Sequence, residues 1–292
     1  MLLIQDRAMV RALSSIAANM NTALIEENPF CLKNKTTNSF TKYSGQSQKY
    51  SGKRFPNIQV IIATLNEEEG IGPTINELKT YLNNPSFLVV DGNSTDKTVE
   101  ISLALGARVV PQDGLGKGDA IAKSIAYIDS NADYIVMTDA DFTYPAEYVP
   151  QMIEALEKNP DVGMICGNRF TENIDSEALH NVFYFGNRLI AFTHNLLNGV
   201  ELTDPLTGLR VLRPNILKNW VVKSKGFDIE VELNHHVEKK GYGILEVPIG
   251  YRQRLGKKKL GVRNGGEIFK RILLELVNEK FSHHNNLFRG TR

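Results

Sequence analysis

The sequence predicts an α/β fold: a mostly parallel sheet with helices on both faces. Five apolar runs, at 58–63, 86–91, 107–110, 133–139 and 162–167, are continuous rather than alternating. Strands buried on both faces read this way. Between them lie amphipathic helical patterns at 67–82, 96–105, 117–129 and 146–158, and this alternation marks a parallel sheet. Three of the runs end in polar signals: Thr64-Leu65-Asn66-Glu67, Asp91-Gly92-Asn93-Ser94 and Asp139-Ala140-Asp141. Ligands bind beyond the carboxyl ends of such strands, so all three signals are predicted to crowd one edge of the sheet.

The flanking elements follow in order. Residues 1–27 read as a short helix, and residues 28–55 are polar with few large apolar side chains. Such a stretch cannot offset its ordering entropy. Residues 1–55 are therefore taken as a partly disordered appendage, a downstream start codon being the alternative, and the main domain as 56–264. After Arg169 the alternation weakens. A long amphipathic helix is predicted over 177–199, a strand over 208–214, a helix over 226–241 stopped by Gly241, and a strand over 244–251. A basic loop at 252–263 leads to a last amphipathic helix at 266–281, within a C-terminal segment 265–292. No internal repeat is present.

Composition excludes some functions. Of 292 residues, 42% are hydrophobic and 23% charged, and the formal net charge is +1. Bulk charge thus gives no argument for nucleic acid. Cys31 and Cys166 lack metal-ligand spacing and read as a surface and a core thiol, which fits a reducing cytoplasm. There is no apolar stretch of about 18 residues to span a membrane. Asp6, Arg7 and Arg11 interrupt any signal-peptide core.

The strand-end motifs suggest chemistry, each against a plainer reading. Asp139 and Asp141 flank one residue past a buried strand, and hard divalent cations such as Mg²⁺ or Mn²⁺ take oxygen ligands. A helix-capping turn is the plainer account. Asp91 can accept from a base or ribose. A capped turn, with Thr95 capping a helix from Asp96, is the alternative, but it gives no reason for Asp91. Gly114-Leu115-Gly116-Lys117-Gly118 opens a helix, where an anion is favoured. It lacks the Walker spacing, and a simple glycine-rich turn explains it as well.

In order, LNEEEGI, VVDGNSTDKT, GLGKGDA, TDADFTYP, GNR, DPLTGLR and RLGKKKL resemble the motifs of glycosyltransferase family 2, over residues 57–262. Within it the set is similar to the dolichyl-phosphate (polyprenyl-phosphate) mannosyl- and glucosyltransferases. The resemblance implies a GT-A, Rossmann-like fold, a UDP- or GDP-linked sugar donor and inversion at the anomeric carbon. It places Asn66 and Glu67 near the nucleoside, Asp91 on base or ribose, and Lys117 and Arg169 in the donor site. Asp139 and Asp141 become the metal ligands, Asp141 also being catalytic. Asp204 and Arg210, also catalytic on this resemblance, lie by acceptor and diphosphate, and Arg254 and Lys259 in a basic clamp.

Two departures stand out. Lys258 replaces the usual Ser of the clamp motif, and the chain ends in an amphipathic helix where many members have transmembrane helices. The resemblance still implies a polyprenyl-phosphate acceptor and peripheral contact with the cytoplasmic membrane face. A phosphate monoester is already anionic, whereas a sugar hydroxyl needs a base. His235, His236, His283 and His284 lie outside the motifs and read as packing or surface residues. The competing readings are a family member acting on a glycan or soluble acceptor, a nucleotide-sugar-binding module without turnover, and a nucleotidyltransferase. The last normally carries its glycine-rich loop after the first strand, where TLNEEEG stands here.

Overall fold

A computed structural model describes residues 55–170 and 202–257. Strands β1 (Ile58–Thr64), β2 (Ser86–Asp91), β3 (Arg108–Pro111), β4 (Tyr134–Asp139) and β5 (Val162–Asn168) alternate with helices α1 (Ile71–Tyr81), α2 (Thr98–Ala104), α3 (Lys117–Ser124) and α4 (Val149–Lys158). Then come β6 (Arg210–Leu212), α5 (Pro214–Leu217), α6 (Ile229–Lys239) and β7 (Gly243–Pro248). Among the described residues the strands form one sheet in the order β3-β2-β1-β4-β6-β5-β7. Strand β6 runs antiparallel to both β4 and β5, while the remaining pairings are parallel. The predicted mostly parallel α/β sheet is therefore the observed one.

Strand pleating sorts the core into two layers. Val60 and Ile62 of β1 pack with Ile71, Ile75 and Leu78 of α1 and with Met152 and Leu156 of α4. Ile61, one residue away, packs with Ile121 of α3 and with Ile229, Leu233 and Val237 of α6. Each such side chain contributes about 1.5–3 kcal/mol on burial. Both faces are covered, which is why the strands are apolar throughout. Cys166 sits in the second layer, and burial pushes its thiol pKa up to about 11, as a core thiol requires.

Several boundaries differ from the sequence expectation. Helix α1 begins at Ile71 rather than 67, because Asn66 takes a left-handed φ of 48°. Helix α2 begins at Thr98. The strand expected over 208–214 shortens to Arg210–Leu212, and Pro214 opens α5, a position where its missing N–H costs nothing. The helices expected over 177–199 and 266–281, Cys31, Lys258, Lys259, all but the last residue of 1–55, and segment 265–292 lie outside the described residues.

Candidate functional site

The parallel register sets Thr64 beside Asp91 and Ala63 beside Asp139, so the three polar strand ends share one edge. The loops after β1 and β2 are tied to each other. The Asn66 amide donates to Ser94 Oγ (2.8 Å), Glu67 N to Thr98 Oγ1 (2.8 Å) and Glu68 N to Asp96 (3.1 Å). In return, Thr95 N donates to Asn66 Oδ1 (2.7 Å) and Lys97 N to Glu68 (3.2 Å). The N-cap position of α2 is Lys97, without a side-chain cap bond, and not Thr95 as expected; Asp96, one residue before it, accepts from Thr98 N at 3.0 Å. Asp91 is buried and accepts from Thr64 Oγ1 (3.1 Å), Ser94 Oγ (2.6 Å) and Ser94 N (2.8 Å). The turn itself thus gives a reason for Asp91 that the sequence did not reveal.

The glycine-rich turn before α3 packs against the 225–226 backbone. Gly118 N donates to the carbonyls of Lys225 (3.0 Å) and Gly226 (3.1 Å), and Asp119 N to Lys225 (3.4 Å). These donors at the helix start are already taken by backbone. A Cβ on Gly118 would lie 2.3 Å from the Ser224 carbonyl. Gly118 is needed for close backbone packing, as the plain-turn reading has it.

Lys117 instead enters an ion triad. Its Nζ lies 2.6 Å from Asp139 Oδ1 and 2.7 Å from Glu230 Oε1. Burial alone would lower the ammonium pKa, but the charges of Asp139 and Glu230 outweigh it and hold Lys117 protonated far above the lysine range. Gly208 leaves room for Asp139, since a Cβ there would meet Oδ2 at 2.4 Å. Asp141 Oδ1 accepts from Thr143 Oγ1 (2.6 Å) and Thr143 N (3.2 Å), and its Oδ2 lies 3.6 Å from Arg254 Nη1. Arg254 Nη2 also reaches both carboxylate oxygens of Glu67, at 2.8 and 2.9 Å.

Asp204 and Arg210 are turned inward. Asp204 is fully buried and takes the Arg169 guanidinium through two bonds, 2.6 Å from Nε and 2.7 Å from Nη2. Glu246 holds that loop by accepting from Thr203 N (2.8 Å) and Asp204 N (2.6 Å), and burial raises its carboxyl pKa. Arg169 in turn lies over the Tyr251 ring at 5.2 Å. Arg210 is 2% exposed. It donates to the carbonyls of Thr207 (2.9 Å) and Pro205 (2.8 Å), to Asn234 Oδ1 and to Met164 Sδ.

These elements enclose a cleft of about 510 Å³. Its charged lining among the described residues is Glu67, Asp139, Asp141 and Glu230 against Lys117, Arg169, Arg252 and Arg254. Asn66, Asp91, Asp204 and Arg210 are not in that lining. The structure thus brings Glu67, Lys117, Asp139, Asp141, Arg169 and Arg254 together around the cleft; Asp91, Asp204 and Arg210 are buried beside it, and Asn66 is exposed. Lys259 lies outside the described residues.

The model of the family described as glycosyl transferase family 2 matches residues 59–220. The chain belongs to glycosyltransferase family 2. A dolichyl-phosphate hexose transferase of Haloferax volcanii is 30% identical over 226 residues, 77% of this chain and 96% of that protein. An undecaprenyl-phosphate mannosyltransferase of Micrococcus luteus is 27% identical, covering 70% of this chain and 87% of that one. Among solved structures, glucosyl-3-phosphoglycerate synthase from Mycobacterium tuberculosis, in complex with Mn²⁺, UDP-glucose and phosphoglyceric acid, superposes with a TM-score of 0.59 at 20% identity. The overlap covers 76% of this chain and 80% of that one. The GT-A fold is the one the sheet order already describes.

For a family 2 enzyme the cleft's charge balance is informative. Four acidic and four basic side chains line it, so its formal charges balance. Among the described residues no three His, Cys, Asp or Glu side chains converge as metal ligands. Asp139 and Asp141 are the two carboxylates at the end of β4 that line the cleft. Two hard oxygens with the remaining positions open suit Mg²⁺, which binds through one or two carboxylates plus substrate phosphates. Sequence reasoning missed Glu230, Glu246, Tyr144 and Tyr251. Tyr144 Oη accepts from Gly208 N at 2.7 Å, fixing the loop beside Asp139. Its position five residues past Asp139 was the available signal.

Proposed function

We propose that this glycosyltransferase moves a hexose, with inversion, from a nucleotide-diphosphate sugar to a polyprenyl phosphate. The observation carrying the proposal is a cleft whose carboxylates and cations meet at the strand-end edge, in a chain 30% identical to a dolichyl-phosphate hexose transferase. Asp139 and Asp141 would hold Mg²⁺ or Mn²⁺, which when bound neutralises charge on the departing diphosphate.

The chain's own groups do the rest. Thr143 fixes one Asp141 oxygen, while the other faces Arg254 at 3.6 Å across the cleft lining. Arg169, oriented by Asp204 and stacked on Tyr251, and Arg254 offer positive charge to phosphate oxygens. The described lining contains no histidine, and Glu230 is engaged by Lys117. That supports an acceptor that arrives already ionised and attacks the anomeric carbon opposite the diphosphate. No helix among the described residues is long and apolar enough to cross a membrane. Peripheral contact at the cytoplasmic membrane face through the amphipathic 266–281 segment, whose apolar residues flank Lys270 and Arg271, belongs to this proposal.

The test is transfer from UDP- and GDP-sugars to a short polyprenyl phosphate, with Mn²⁺ or Mg²⁺ and with chelator. Metal-dependent formation of a lipid-linked sugar is expected. Donor binding without such product, while a glycan acceptor is glycosylated, would overturn the acceptor assignment.

A further inference from the structure

Lys117 occupies the place of a counter-ion to Asp139. Its ammonium is 2.6 Å from Oδ1, and Glu230, whose side chain is 8% exposed, grips it at 2.7 Å from the other side. Glu230 stands in the first turn of α6, and Lys117 opens α3. The Gly118 contact with the 225–226 backbone locks these two segments together. The ammonium is therefore held by scaffold and cannot drift away when a second cation approaches Asp139.

We infer that Lys117 is a built-in competitor of the divalent metal at Asp139, and that Glu230 is the positioning residue that sets the strength of the competition. A cation in van der Waals contact with a ligand carboxylate opposes a second cation there. Glu230 draws the ammonium part-way off Asp139 and supplies the counter-charge Lys117 needs once Asp139 turns to the metal. Metal alone thus binds weakly. A metal arriving with a diphosphate binds well, because the phosphates take up the positive charge. The device favours loading as a metal–donor complex. This inference rests on the proposed metal role of Asp139 and Asp141.

The experiment is titration of the full-length chain with Mn²⁺ alone, without nucleotide, read by calorimetry and by the electron paramagnetic resonance signal of free Mn²⁺. Lys117→Met should bind Mn²⁺ at least about tenfold more tightly than wild type, because Asp139 loses its competitor. Glu230→Gln should bind about threefold or more weakly, because Lys117 then falls wholly to Asp139. Lys123→Gln, on the same helix as Lys117 but outside the cleft lining, removes a charge paired with Asp113 at 2.7 Å and should change affinity less than about threefold, separating contact from the general field. Unchanged or weaker binding in Lys117→Met overturns the inference. If that variant does not fold, unchanged or tighter binding in Glu230→Gln overturns it. Mn²⁺ binding indifferent to Asp139→Asn and Asp141→Asn would instead sink the metal assignment itself.

Discussion

Arg210→Met tests whether this guanidinium acts on substrate or on the fold. Removing it leaves the Thr207 carbonyl, one bond to the Pro205 carbonyl and the Asn234 amide oxygen without their donor. Pro205 O keeps a bond from Asn234 Nδ2 at 3.0 Å, so two acceptors are left bare. At about 1–3 kcal/mol for each unsatisfied buried group, the loss is about 2–6 kcal/mol. Relief of the buried charge offsets part of it, which leaves about 3 kcal/mol. For a domain of this size that lowers Tm by about 6–12 °C. The assay is thermal denaturation by circular dichroism, alongside transfer kinetics measured well below the new transition. A variant with wild-type Tm and no transfer would refute the reasoning and return Arg210 to the diphosphate.

Other substitutions separate site from scaffold. Asp141→Ala should cut transfer by at least about a thousandfold, roughly 4 kcal/mol of barrier, with Tm within about 3 °C of wild type; near-wild-type turnover would remove Asp141 from the mechanism. Asp204→Asn should loosen the two-bond grip on Arg169 and lower kcat/KM about ten- to a hundredfold, with donor affinity measured separately by fluorescence. His236 stacks on Trp220 at 4.9 Å and donates from Nε2 to the Ile216 carbonyl at 2.8 Å. Burial depresses its pKa below the unfolded value of 6.5. The unfolded chain then binds the extra proton first, so stability is full above that value and falls as pH drops through about 6.5 toward the folded pKa. Melting curves from pH 7.5 to 5 should show this decline, and His236→Gln should flatten it.

The strands and the edge where they end were readable because burial on both faces imposes continuous apolar runs, and a parallel register then aligns their ends. Asp139 and Asp141 could be placed beside the cleft on that ground alone. The directions of long side chains could not. Arg210 stands in a motif two residues from Gly208, yet its guanidinium folds back onto the loop that precedes it. Asn66 was expected at the nucleoside, but its amide oxygen is spent on Thr95. Glycines before a helix suit an anion or a close neighbour equally, and nothing in the sequence signals the approach of Lys225 and Gly226 to Gly118.

The reciprocal bonds between residues 66–68 and 94–98 make two sequence-distant loops one exchangeable cassette. Recombination between family members that crosses over between β1 and β2 would pair half of one lattice with half of another and strand its donors. Chimaeras meant to swap donor preference should therefore transplant both loops in one block, with α1 and β2 carried between them.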